Sequence, residues 1–271
     1  MHDLLENFIC LDCKKVLAKL EKIRGGGRER VYLACDFDRT ITPFFNQKGE
    51  EISTWGLLSA KLPAAIRAEE IRLYEKYRPL EIAGKMTVAQ AVEWWSKNLD
   101  LYEKSKLNWS DLELEVKEAI PARPGAKELF DLCEERKIPI VIVSAGIKDV
   151  IELWCEKFEV NPYKILSTKL FFDAKGYVCG WDKNSLVHAL NKNEVGRELF
   201  AELGKTQPFS ILIGDSLDDA AIIDGSDNVL RLFVDDAANK NDGFNKKIFE
   251  KFDLILKTDS LMPVVKMIAS I

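Results

Sequence analysis

The 271-residue sequence predicts an α/β fold, in which a doubly wound parallel sheet is covered by helices on both faces and a helical cap is inserted near the amino-terminal end. Three observations predict it. Short apolar runs recur at Val31–Cys35, Ile138–Val143, Ser210–Ile213, Val229–Val234 and Leu254–Leu256, each the length of a buried strand. Each run is followed by a segment with apolar residues at helical spacing, the alternation that builds a parallel sheet. The stretch from about residue 50 to 120 differs, being helical in pattern throughout.

Taken in order, Leu4, Leu5, Phe8, Ile9, Val16, Leu17 and Leu20 predict an amphipathic helix over residues 3–23, ended by Gly25, Gly26 and Gly27. That glycine run precedes a strand and lacks the Lys-Ser/Thr of a phosphate loop, so it reads as a connector. Val31–Cys35 is then the first buried strand. Helical patterns over Ile66–Tyr77, Val88–Leu101 and Leu112–Ile120 define the cap, placed at 47–120, with 1–46 and 121–271 forming the core. Pro121 and Pro124-Gly125 mark the return. Leu170–Trp181 alternates around Asp173, Lys175 and Gly176, which predicts a hairpin or two short edge strands.

Composition narrows the function. The chain is 47% hydrophobic and 31% charged, with 39 basic and 44 acidic residues and a net charge of −5. An acidic chain lacks the basic footprint of a nucleic-acid binder but can still take a small phosphorylated metabolite. No apolar run is long enough to span a bilayer, and the amino terminus has no secretion signal. The six cysteines, at 10, 13, 35, 133, 155 and 179, read as free thiols of a reducing compartment, and the cytoplasm is expected. Cys10 and Cys13 make one CxxC, but two histidines and no second pair leave a zinc site short of ligands, so packing is the expected role.

In open parallel sheets ligands bind beyond the carboxyl ends of the strands, and there the chain carries Asp36, Ser144 and Asp215. Asp36-Phe37-Asp38-Arg39-Thr40 follows the first strand, and alternation along extended chain turns Asp36 and Asp38 to one side. Gly214-Asp215-Ser216-Leu217-Asp218-Asp219 follows another strand, with Gly214 allowing close backbone approach. Ser144-Ala145-Gly146 ends a third, offering a hydroxyl and backbone N–H groups to an oxyanion. Carboxylates gathered in this way repel unless a cation shares them, and magnesium suits a site of few carboxylates, a phosphate oxygen and waters. Spacing alone leaves Asp218 and Asp219 open as the supporting acid, and Lys192 and Lys183 as the cation. Asp235 and Asp236 read as a turn or helix cap.

The ordered set of strand-DxDxT, strand-Ser, Lys and strand-GDxxxD resembles the haloacid dehalogenase-like hydrolases. Within them the chain is similar to the cytosolic pyrimidine 5'-nucleotidases, through Cys35-Asp36-Phe37-Asp38, Tyr77-Arg78-Pro79-Leu80-Glu81, Val92-Glu93-Trp94-Trp95, Val143-Ser144-Ala145-Gly146-Ile147, Leu190-Asn191-Lys192-Asn193 and Gly214-Asp215-Ser216. The resemblance implies a magnesium-dependent phosphatase, with a pyrimidine nucleoside 5'-monophosphate as the expected substrate. Another small ester, such as 7-methylguanosine monophosphate or a phosphoamino acid, is the alternative. It also implies roles. Asp36 would be the nucleophile and Asp38 the acid and base. Asp36, the Asp38 carbonyl and Asp215 would hold Mg2+, with Asp219 helping through a water. Thr40, Ser144, Ala145 and Gly146 would lie on the phosphate side, with Lys192 neutralising charge. In the cap, Glu81 would hydrogen-bond a base beside Trp95 and Asn98. The chain departs from the family at Asn98, where serine is usual, and at Arg39, where an apolar residue is usual.

Overall fold

The computed structural model describes residues 2–46, 48–235 and 242–271. The chain opens with strand β1 (Phe8–Ile9), helix α1 (Cys13–Gly26) and strand β2 (Val31–Cys35). The helices α2 (Thr54–Ala60), α3 (Ala64–Ile82), α4 (Val88–Ser105) and α5 (Trp109–Ala119) follow. Then come α6 (Ala126–Glu135), β3 (Ile140–Ile147), α7 (Lys148–Phe158), β4 (Lys164–Thr168), β5 (Leu170–Phe172) and β6 (Val178–Trp181). The chain closes with α8 (Lys192–Val195), α9 (Arg197–Thr206), β7 (Phe209–Gly214), β8 (Val229–Val234), α10 (Asp242–Phe249), β9 (Leu254–Leu256) and α11 (Met262–Ala269).

The main sheet runs β1-β9-β8-β7-β2-β3-β4, parallel throughout except for β1 against β9. Side chains alternate across it, so one strand feeds two cores. Val31, Leu33 and Cys35 of β2 join a cluster with Val16, Leu20 and Ile23 of α1 and with α6, α7 and α11. Tyr32 and Ala34 of the same strand join Phe200 and Leu203 of α9 on the opposite face. Strand order reverses around β2, with β7 on one side and β3 on the other. The crevice this opens at the strands' carboxyl ends is where residues 36, 144 and 215 converge.

Several expectations are corrected. The helix expected over 3–23 begins only at Cys13, where Asp12 caps it by accepting from Lys15 N. Residues 2–5 form a single 3-10 turn, and Phe8–Ile9 pairs with Ile255–Leu256 instead. Phe8 is buried by that pairing, and the exposed edge of β9 gains its partners. Gly25 and Gly26 lie within α1, and the chain leaves it at Gly27, whose φ of 90° suits glycine. Cys10 and Cys13, expected as packed free thiols, are joined in a disulfide. The second apolar run extends through Ile147, so Ser144, Ala145 and Gly146 belong to the strand itself.

Two elements had no clear signal. Strand β4 is a polar-flanked edge, and α2 is a helix of 7 residues, too short for a periodic pattern. Helix α3 runs past Tyr77 to Ile82 with Pro79 inside it, because the amide that proline lacks would have served the exposed residue Glu75. Leu170–Phe172 and Val178–Trp181 pair as the antiparallel hairpin, turning at Gly176 with φ of 81°. Asp236 lies outside the described residues.

Candidate active site

Asp36 leaves β2 with its amide donating to Ile213 O at 3.0 Å, which locks the end of β2 to β7. Its side chain is buried, and Lys192 Nζ donates to Oδ1 at 2.7 Å. The same ammonium donates to Asp219 Oδ1, also at 2.7 Å, so one buried lysine bridges two carboxylates. Burial disfavours the charged lysine, but the charges of Asp219 and Asp36 outweigh this and hold its pKa above the usual value. Asn191 fixes the turn that delivers it, accepting from His188 N at 2.8 Å and donating to Leu186 O at 2.9 Å.

Asp219 is the fully buried organiser. Its Oδ2 accepts from Asp215 N at 3.1 Å and Ser216 N at 2.9 Å, which curls the turn after β7. Glycine at 214 permits this: a Cβ there would lie 2.4 Å from Asp219 Cβ. Asp215 is half-buried, and Thr40 Oγ1 donates to its Oδ1 at 3.2 Å. Thr40 is thus spent on orienting Asp215 from behind the cavity wall. Oxygens of Asp36, Asp215 and Asp219 all lie within 4.8 Å of one another. Burial raises the pKa of Asp36 well above the ordinary carboxylate range; Lys192 opposes this, while Asp219 and Asp215 add to it. Burial and then the charge of Asp219 push Asp215 up to about 6. Hard oxygen donors at close range, strained by mutual repulsion, fit a small divalent cation such as magnesium.

Asp38 faces the same space but is held from the helical segment. Thr54 N donates to its Oδ1 at 2.9 Å and Thr54 Oγ1 to its Oδ2 at 2.7 Å. Burial raises the Asp38 pKa, and these two bonds oppose the rise. Ser144 Oγ accepts from Gly146 N at 3.0 Å, and the Ala145 carbonyl accepts from two indoles, Trp55 Nε1 at 2.8 Å and Trp95 Nε1 at 3.1 Å.

A cavity of about 440 Å³ joins these groups to the helical segment. Asp36, Asp38, Ser144, Ala145, Gly146, Lys192 and Asp215 line one end, and Arg78, Glu81, Trp94, Trp95, Asn98 and Tyr74 the other. Trp94 stacks on Tyr77 with centroids 5.8 Å apart. Trp94 Nε1 and Asn98 Oδ1 are buried without a hydrogen-bond partner among the described residues. Glu81 is paired with Arg78 one turn earlier. Sequence reasoning passed over Thr54, Trp55 and Arg78. A faint signal existed for the first two in the Ser53-Thr54 start of a helix, but Arg78 offered only its place beside Glu81.

A family model described as Pyrimidine 5'-nucleotidase (UMPH-1) matches residues 39–271. Over 268 residues the chain is 31% identical to 7-methylguanosine phosphate-specific 5'-nucleotidase A of Xenopus laevis, a match covering 91% of this chain and 89% of that one. The enzyme of the same description from Homo sapiens is 30% identical over 260 residues, covering 90% and 85%. Among solved structures, cytosolic 5'-nucleotidase IIIB bound to cytidine superposes with a TM-score of 0.81 at 26% identity, covering 98% and 94%. A substrate-bound phosphoserine phosphatase superposes with a TM-score of 0.59 at 16% identity over 88% and 97%, which shows a shared fold.

Proposed function

Because the chain belongs to the pyrimidine 5'-nucleotidase (UMPH-1) family of haloacid dehalogenase-like phosphatases, we propose that it is a magnesium-dependent 5'-nucleotidase, cleaving nucleoside 5'-monophosphates through an aspartyl-phosphate on Asp36. The observation that carries this reading is the bridge from Lys192 to Asp36 and Asp219, at the phosphate end of a cavity whose far end is aromatic. Asp36 attacks phosphorus, and the bond to the 5' oxygen breaks as Asp38 delivers a proton to it. Asp38 then takes a proton from water, which attacks the aspartyl-phosphate and releases phosphate. Lys192 and the hydroxyl of Ser144 bind the phosphoryl oxygens as charge develops. Asp36, Asp215 and the Asp38 carbonyl would hold magnesium, with Asp219 behind them; when bound, the ion offsets the negative charge of the transferring group.

Residues 47–120 serve as the cap that selects the substrate, with 1–46 and 121–271 as the catalytic core. Glu81 and Asn98 supply acceptors to the base, and Trp94 and Trp95 supply flat apolar surface. A pyrimidine is the first reading. The names of the curated relatives favour a second, 7-methylguanosine monophosphate, whose cationic ring suits stacking on tryptophan. A cytoplasmic location follows the cytosolic structural relative, and no helix among the described residues is long and apolar enough to cross a membrane.

The test is phosphate release from CMP, UMP, 7-methylguanosine monophosphate and O-phosphoserine, with and without magnesium. Release from a nucleotide that needs the metal and disappears in Asp36→Asn is expected. Metal-independent turnover, or wild-type turnover by Asp36→Asn, would overturn the mechanism, and a preference for O-phosphoserine would overturn the substrate class.

A further inference from the structure

We propose that Thr54 is the positioning residue of the proton donor, holding the Asp38 carboxyl in line with the leaving oxygen. The proposal rests on the reading of Asp38 as acid and base. Thr54 is fully buried at the start of α2, and it spends both its amide and its hydroxyl on the two oxygens of Asp38. Capping does not explain that hydroxyl, because Ser53 is the cap residue, with its Oγ accepting from Gly56 N at 3.0 Å. The hydroxyl is fixed in turn by Ile147 N, which donates to it at 3.3 Å from the end of β3.

A second observation points the same way. Glycine at 146 is what lets Thr54 come this close: a Cβ there would lie 2.2 Å from Thr54 Oγ1 and 3.0 Å from Asp38 Oδ2. Three segments distant in sequence therefore meet at one hydroxyl. Each Asp38 oxygen uses one lone pair on Thr54 and keeps another, so the carboxyl can carry a proton toward the cavity that it lines. When the phosphorus–oxygen bond breaks, its electron pair goes to the 5' oxygen, and the proton on Asp38 follows. The next residue, Trp55, donates to Ala145 O from the same turn of α2. Seating α2 against β3 and aligning the acid are thus one event.

A positioning role makes a prediction that a structural role does not. An alkoxide leaving group needs the proton, whereas 2,4-dinitrophenolate leaves without it. In kcat/KM, which reads the reaction through leaving-group departure, Thr54→Val should lose about 10- to 100-fold on CMP and less than about 3-fold on 2,4-dinitrophenyl phosphate. Thr54→Ser, which restores the hydroxyl, should recover to within about 3-fold on both. Thr54→Ala, which removes the hydroxyl without adding a branched apolar group, should reproduce the leaving-group dependence if Thr54→Val fails to fold. Asp38→Ala, measured on the same two esters, reports on the acid itself. A leaving-group-dependent loss in Asp38→Ala with an equal loss on both esters in the folded Thr54 variants overturns the positioning role and leaves the acid standing. Equal losses on both esters in Asp38→Ala overturn the acid and the proposal together.

Discussion

Arg78 and Glu81 face the cavity from successive turns of α3, and their ion pair sets the charge at that end of it. The Glu81 side chain is 14% exposed, shielded enough for its charge to count. An acceptor at Glu81 serves only substrates that carry a base with a donor. Glu81→Ala should therefore lose about ten- to more than hundredfold in kcat/KM on nucleoside monophosphates, the worth of one charged hydrogen bond of about 1.5–3 kcal/mol, with little change on p-nitrophenyl phosphate. Equal losses on both would assign Glu81 to the packing of α3. Arg78 adds a second discrimination, since a guanidinium beside Glu81 disfavours a cationic ring. Removing it in Arg78→Ala should raise kcat/KM for 7-methylguanosine monophosphate relative to CMP by about tenfold, or about 1.4 kcal/mol. A ratio that moves toward CMP would show the guanidinium to be an attractive contact.

At the scale of elements, the two connections between core and helical segment are built differently. Arg123, on the return connection, is 1% exposed and donates to Thr40 O at 2.9 Å and Thr42 O at 3.2 Å, as well as to Arg39 O and Asp259. It pins that connection to the turn that follows Asp36 and Asp38. On the outgoing connection, residues 48–51 are exposed, held by a bridge from Phe45 to Glu51 and by the Asn46 side chain accepting from Lys48 N and Glu50 N. A cap that opens to admit substrate must flex at the looser joint. A protease of broad specificity such as subtilisin should cut within residues 48–51 and spare residues 121–125, and magnesium with a phosphate analogue should slow the cut. Early cleavage within 121–125, or a rate at 48–51 indifferent to ligand, would count against hinging at the outgoing joint.

At the scale of the whole molecule, the acidic cluster makes stability depend on pH, and the proposed metal would couple to that dependence. Folding raises Asp215 to about 6 from an ordinary 3.8, so the folded state prefers it protonated. Its contribution is full below about pH 4 and is lost as pH rises through about 6 in metal-free protein. On the proposed reading, magnesium would compete with that proton and relieve the repulsion left when it departs. The rise in Tm on adding magnesium should be larger at about pH 7.5 than at about pH 5, and should shrink in Asp215→Asn. Equal rises at both pH values would remove Asp215 from the metal site. The amino-acid sequence by itself determined the buried strands and what stands at their carboxyl ends, because an apolar run bounded by turn residues is a local property. Val229–Val234 and Leu254–Leu256 lie where it placed them, and Asp36 and Asp215 directly follow the ends of β2 and β7, whereas Ser144 lies within the longer β3. Contacts between distant segments carry no such period. That Lys192 reaches Asp36 across 156 positions while Lys183 sits in a short 3-10 turn was decided by how the segment from β6 to α8 packs over the sheet. The edge strand β1 exists only because β9 has a free edge for it. The grip of Thr54 on Asp38, 16 positions away, needed α2 seated on β3, and that seating arises from packing and from the missing side chain of Gly146.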